Sequence, residues 1–244
     1  MKKKIWIITL FPQMFESFID VGVVGRYFDG VNAEIECLYL GDFSPKSFKG
    51  ADGAPYGGGP GMVMRADVLE GAIKKVFSNY SDPSNLEVIY TAPRGEELTN
   101  KMSRKLASDF TAAKGKDFVF ICGRYEGIDE RFIEQYVTRI ISIGDFVLSG
   151  GELAVMTIID SFSRFIDGVL GNSESFEDDS FEEGLIEGPS YTRPEIFNGV
   201  KVPDVLLSGN HKLINEYRVK KKLEFTKKLR PDLYALYENN RGKK

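Results

Sequence analysis

Apolar and β-branched residues gather in five short runs, at residues 4–10, 33–40, 86–91, 117–122 and 139–143. Between them, apolar residues recur at helical spacing over residues 11–28, 65–79, 99–108 and 130–136, and again over 152–165 after the last run. Strands apolar on both faces that alternate with amphipathic helices predict an α/β fold, a mostly parallel sheet covered on both sides. Ligands of such sheets bind outside the carboxyl ends of the strands.

Three stretches break the rhythm. Residues 44–61 are rich in Gly and Pro and too long for an idle connector, which predicts a functional loop. Residues 171–188 hold Glu174, Glu177, Asp178, Asp179, Glu182, Glu183 and Glu187 with no basic residue, the composition of a solvated linker. Beyond residue 188 the pattern is basic, and helical after Pro203. The expected division is an α/β domain over 1–170, an acidic linker over 171–188 and a small helical domain over 189–244.

Candidate chemistry follows the three later strands, in TAPRGEEL (91–98), CGRYEGIDER (122–131) and SIGDFVLSGGE (142–152). Each puts Gly or Pro just past a buried strand, where backbone bends sharply and approaches a ligand closely. Three such loops on one sheet edge predict a cleft lined by backbone N–H and C=O groups. No GxGxxG opens a helix after the first strand, and no GxxxxGK[ST] is present, so the usual dinucleotide and P-loop sites are excluded. The single histidine, His211, lies in the basic tail and neither cysteine has a ligand-spaced partner, which excludes a His/Cys zinc site and leaves a Ser–His–Asp hydrolase little to work with. An adenosine-bearing cofactor without phosphates suits neutral backbone loops better than a phosphate does.

Composition and charge refine this picture. The 244 residues are 42% hydrophobic and 28% charged, ordinary for a globular chain with a real core. Cys37 and Cys122 sit in apolar runs, as buried thiols of a reducing compartment do. The basic start MKKKIWIITL has too short an apolar run for a signal peptide, and no stretch approaches a membrane span, so a cytoplasmic location is expected. The net charge of −4 conceals an asymmetry: residues 200–244 carry 12 Lys/Arg against 5 Asp/Glu. A basic tail on an acidic body predicts a polyanionic partner, although a solvated lysine-rich helix face gives the same count.

The runs YGGGPGM (56–62), CGRYEGIDER (122–131), IGDFVLSGGELAVM (143–156), DSFEEGLIEGPSYTRP (179–194) and VLLSGNH (205–211) resemble, in order, those of the bacterial tRNA (guanine-N1)-methyltransferases. The resemblance covers nearly the whole chain, from LFPQMF (10–15) to the tail. These enzymes are SPOUT methyltransferases that modify guanine 37, next to the anticodon. The resemblance therefore implies a deep trefoil knot toward the C-terminal side of the α/β domain, a small α-helical C-terminal domain, and S-adenosylmethionine as methyl donor.

Carried over by motif, the donor site would comprise Tyr90, Thr91 and Pro93 from the first loop and Gly123 and Tyr125 from the second. From the third would come Ser142, Ile143, Gly144, Asp145, Phe146, Val147, Leu148, Gly150 and Gly151. Core packing is an equally natural role for Ile143 and Leu148. Phe146 stands where the family commonly has tyrosine, and Ala154 where it has proline. Guanine N1 is protonated at neutral pH, so its alkylation needs a base and a cation near O6. The matching residues are Asp179, with Asp178 its competitor, and Arg164. Glu126 matches a carboxylate linked to Mg²⁺. The resemblance also implies a homodimer whose linkers cover each other's clefts, and a grip on the tRNA anticodon arm by Arg218, Lys220 and Lys221. Pro60, Gly61, Tyr191, Arg193, Asn210 and His211 would read the target, with a structural role equally open for each. Two other classes stay open: a knotted methyltransferase for another RNA position, and a non-catalytic RNA-binding sensor of S-adenosylmethionine.

Overall fold

A computed structural model describes residues 2–29, 32–45, 50–170 and 179–241, and the chain divides into two compact units, Met1–Gly171 and Asn172–Lys244. In the first unit the strands are β1 (Lys3–Thr9), β2 (Ala33–Tyr39), β3 (Asp52–Gly53), β4 (Val63–Met64), β5 (Leu86–Glu97), β6 (Asp117–Ile121) and β7 (Arg139–Ser142). Its helices are α1 (Glu16–Asp20), α2 (Gly22–Tyr27), α3 (Ala66–Phe77), α4 (Asn100–Thr111), α5 (Glu130–Tyr136) and α6 (Glu152–Ser163). Five strands form one sheet in the order β2-β1-β6-β5-β7, and every pairing in it is parallel.

Side-chain alternation along the strands divides the core in two. Ile5, Ile7, Phe118, Phe120 and Ile89 point to one face, where α4 and α6 bring Leu106, Phe110, Val155, Ile158, Ile159 and Phe162. Trp6, Ile8, Val119, Ile121, Val88 and Tyr90 point to the other, under Val68, Leu69, Ile73 and Val76 of α3 and Phe132 of α5. The sheet is therefore covered on both faces, as the uninterrupted apolar runs require. Cys122 is buried in the first cluster and Cys37 packs against it.

Two expectations need correction. Residues 11–28 are not one helix: a 3₁₀ turn (Pro12–Phe15), α1 and α2 succeed one another. The chain is extended at Val21 (φ −127°, ψ 161°) and left-handed at Gly22 (φ +76°), which uncouples the two helices despite a continuous apolar period. The strand at 86–91 instead runs to Glu97, because both Thr91 and Glu96 pair with Ile141 of β7 and residues 92–95 bulge out between them. Gly95 permits this, since a Cβ there would lie 2.6 Å from the Ile141 backbone.

In the second unit, β8 (Ile196–Phe197) and β9 (Val200–Lys201) form a hairpin, followed by α7 (Asp204–Leu207), α8 (His211–Leu229) and α9 (Pro231–Arg241). The first part of the acidic linker, 171–178, with the competitor Asp178, lies outside the described residues. Its second part is more than a row of solvated acids. Phe181 N–H donates to the Leu185 carbonyl at 2.7 Å, and Glu187 N–H donates to Ser180 Oγ at 2.9 Å. Ile186 N–H then reaches Thr226 Oγ1, a fully buried hydroxyl on α8, at 3.0 Å. This hook carries Asp179 at its start.

Candidate active site

The carboxyl ends of β5, β6 and β7 open into a cleft of about 250 Å³. Tyr90, Thr91 and Pro93 line it from the first loop, and Gly123, Tyr125 and Glu126 from the second. Ser142, Ile143, Gly144, Phe146, Val147, Leu148, Gly150 and Gly151 line it from the third. Of the residues expected there, Asp145 is exposed and is not among those lining the cleft. Arg124, Ala92, Ile141 and Ser149 line it without having been singled out, the first flagged only by its place between two glycine-rich positions.

Glycines let these loops touch. A Cβ on Gly123 would lie 2.8 Å from the Tyr90 ring, and one on Gly151 would lie 2.6 Å from Thr91 Oγ1 and 2.9 Å from Gly123 N. Gly151 N–H donates to the Gly123 carbonyl at 2.8 Å, and Arg124 and Gly150 form an antiparallel bridge. Because β7 neighbours β5 and not β6, the chain leaving β7 must cross the end of β5 to make these contacts. Tyr125, which lines the cleft, is held at φ +58°, a costly conformation for an aromatic residue. Burial pushes the Tyr90 hydroxyl above its ordinary pKa, so it is a neutral donor.

The walls are apolar at Ile143, Phe146, Val147 and Leu148, and among the described residues the charged ones lining the cleft are Arg124 and Glu126. Among the described residues, Thr91 Oγ1 is buried without a hydrogen-bond partner. An unpaired buried hydroxyl beside a glycine cradle fits a ligand with polar edges and a flat apolar body, such as an adenosine.

Glu126 stands at the rim, where its backbone N–H donates to the Met62 carbonyl at 3.0 Å and its side chain fills the space beside Gly61. That contact brings the exposed Pro60–Gly61 turn of the YGGGPGM loop to the cleft mouth. No three His, Cys, Asp or Glu side chains cluster as metal ligands among the described residues, so a magnesium shell would take a single carboxylate from Glu126. Arg164 caps the C-terminus of α6, whereas Gly151 caps its N-terminus at the cleft. Twelve helical residues separate them, a span of roughly 18 Å that an arginine side chain does not bridge.

In the second unit, Tyr191, Arg193, Arg218 and Lys221 line one cavity of about 700 Å³ with Tyr217, while Lys220 is exposed outside it. Asn210 has a structural duty: its side chain accepts from Leu213 N–H at 3.3 Å as the N-cap of α8, a role legible in the Asn before the helical run. His211 is the first, exposed residue of that helix.

The sequence profile of the tRNA (guanine-1)-methyltransferase TrmD family matches residues 3–236. A tRNA (guanine-N(1)-)-methyltransferase of Marinomonas sp. (strain MWYL1) is 45% identical over 94% of this chain and 88% of its own length. The protein of that name from Clostridioides difficile (strain 630) is 43% identical over 93% of this chain and 96% of its own length. A third, from Photorhabdus laumondii, is 46% identical over 94% and 88%. Continuous similarity of this extent spans both units, and the chain belongs to the tRNA (guanine-1)-methyltransferase family.

Proposed function

We propose that this chain transfers a methyl group from S-adenosylmethionine to N1 of guanine 37 in tRNA. The observation that carries the reading is the glycine cradle with its unpaired Thr91 hydroxyl, in a chain that belongs to this family along nearly its whole length. The bound donor supplies an electrophilic methyl group on a sulfonium. Everything else falls to the protein. The apolar third loop and Tyr90 enclose the donor's adenosine and exclude water, while Asp145 stays exposed. The crossing of the third loop over β5 supports a trefoil knot, which would fix the cradle more firmly than open loops can.

Attack by guanine requires removal of its N1 proton and stabilisation of charge gathering on O6. Asp179 takes the proton as a carboxylate, and Arg164 faces the oxygen. Arg164 lies a helix length from the cleft of its own chain, which supports a homodimer in which each protomer completes the other's site. Glu126 offers one carboxylate to a magnesium ion. Pro60 and Gly61 guide the base at the rim, and Tyr191, Arg193 and His211 contact the RNA beyond it. Arg218, Lys220 and Lys221 hold phosphates of the anticodon arm without reading sequence. The domain division is then functional, with donor chemistry in residues 1–170, the base in the linker 171–188 and the RNA grip in 189–244. No helix among the described residues is long and apolar enough to cross a membrane. We place the activity in the cytoplasm, where its tRNA substrate resides.

Labelled methyl transfer to tRNA transcripts tests this reading. Transfer to a transcript with guanine 37, lost when that base alone is replaced, is the expected result. Persistence after the replacement would move the target to another position, and RNA binding without any turnover would favour the sensor.

A further inference from the structure

Glu152 is the first residue of α6, directly after the cleft-lining Gly151, and its side chain is fully buried. One carboxylate oxygen accepts a hydrogen bond from Thr9 Oγ1 at 2.8 Å. The other lies 2.8 Å from Nη2 of Arg124, charge-paired without hydrogen-bond alignment. Arg124 is itself confined: Nη1 donates to the Ser149 carbonyl at 3.2 Å, and the guanidinium stacks 4.3 Å from the Phe11 ring centroid. Among the described residues it remains one of two charged residues lining the cleft, the other being Glu126 at the rim. The Arg94–Glu130 pair nearby, at 2.6 Å, is internally balanced.

A staple between loops needs no ion pair, since burying one gains little over an apolar contact. A cleft that must admit a cation needs its own cation neutralised. We propose that Glu152 is a positioning residue that cancels the charge of Arg124, so that the cleft accepts a sulfonium. This inference rests on S-adenosylmethionine being the donor, which carries a positive sulfur and leaves as a neutral thioether, S-adenosylhomocysteine. A removed charge must therefore weaken the first ligand and spare the second. A purely structural contact would treat the two alike, because they share every other group.

The test is equilibrium binding of both ligands to the full chain by calorimetry, without RNA. Glu152→Gln keeps the shape and the Thr9 contact but leaves Arg124 uncompensated. Its affinity for S-adenosylmethionine should fall roughly tenfold relative to that for S-adenosylhomocysteine, the size expected of one unit charge about a cleft's width away. Arg124→Met should shift the ratio the opposite way, and the double variant Arg124→Met/Glu152→Gln should restore it. Thermal unfolding shows which variants are folded, and either single variant is enough to read the sign. Equal weakening of both ligands, or a ratio that moves the same way in both single variants, overturns the proposal. If the native chain binds neither ligand, the donor assignment itself falls.

Discussion

Adding one methyl group at Gly151 tests the packing that shapes the cleft. Gly151 has an ordinary φ of −78°, so alanine meets no backbone strain there. Its Cβ would instead lie 2.6 Å from Thr91 Oγ1, 2.9 Å from Gly123 N and 3.0 Å from Cys122 Cα. The threonine can rotate, but the other two atoms cannot retreat. Cys122 N–H is tied to the Ile8 carbonyl at 3.0 Å in the buried centre of the sheet, and the Gly123 carbonyl holds Gly151 itself. The third loop must move, at a cost of about 2 kcal/mol, typical of an overpacked core. With a urea m-value of about 2 kcal/mol/M, the midpoint falls by about 1 M. Trp6, the single tryptophan and 3% exposed, reports unfolding of the first unit by fluorescence. The displaced loop should also weaken S-adenosylhomocysteine at least tenfold, about 1.4 kcal/mol. Gly168→Ala is the control. It has φ +83° and no atom within 4 Å of the added Cβ, so it costs about 1 kcal/mol from backbone strain and leaves ligand binding intact. A Gly151→Ala chain with native midpoint and native affinity would refute the close packing of the third loop, after it crosses β5, against the end of β6.

Further outcomes follow from the same geometry. Asp179→Asn should retain donor and tRNA binding while losing most turnover in single-turnover assays, and near-native rates would remove Asp179 from the mechanism. Lys220 is exposed, whereas Lys221 is paired with Glu224 at 2.6 Å, so Lys220→Gln should lower the salt dependence of tRNA binding by about one unit of slope and Lys221→Gln by less. Equal slopes in titrations from low to moderate salt would contradict this. Burial pushes the Cys37 thiol up to about 11 and the Cys122 thiol well above its ordinary value, so the thiolates form only at high pH. Iodoacetamide at pH 8 should label the native chain at least about a hundredfold more slowly than the urea-unfolded one, and rapid native labelling would mean that one of these thiols is accessible.

The local alphabet determined a good deal. Runs such as IWII and FVFI are apolar on both faces, which only a covered sheet satisfies, and the structure buries Ile5, Trp6, Ile7 and Ile8 on alternating sides. The bulge in β5 and the loops after β6 and β7 were legible as backbone bends because glycine and proline mark them, although the first was expected as a loop after the strand. The helix break at Val21–Gly22 was hidden, since one left-handed glycine leaves the apolar period intact. The two-residue ladders β3–β4 and β8–β9 are too short to show any period, although the Asn198–Gly199 turn, with φ +50° and +80°, carries a hairpin signal.

What sequence periodicity determines is which residues are buried and where the chain turns, because burial and turning are properties of neighbours along the chain. Tertiary structure alone decided that β7 lies beside β5, so that the third loop must cross to reach Gly123. It alone joined Glu152 to Arg124 and Thr9, and tied the hook bearing Asp179 to Thr226. Partners so distant in sequence leave no local pattern, since their energy appears only once strand order has brought them together.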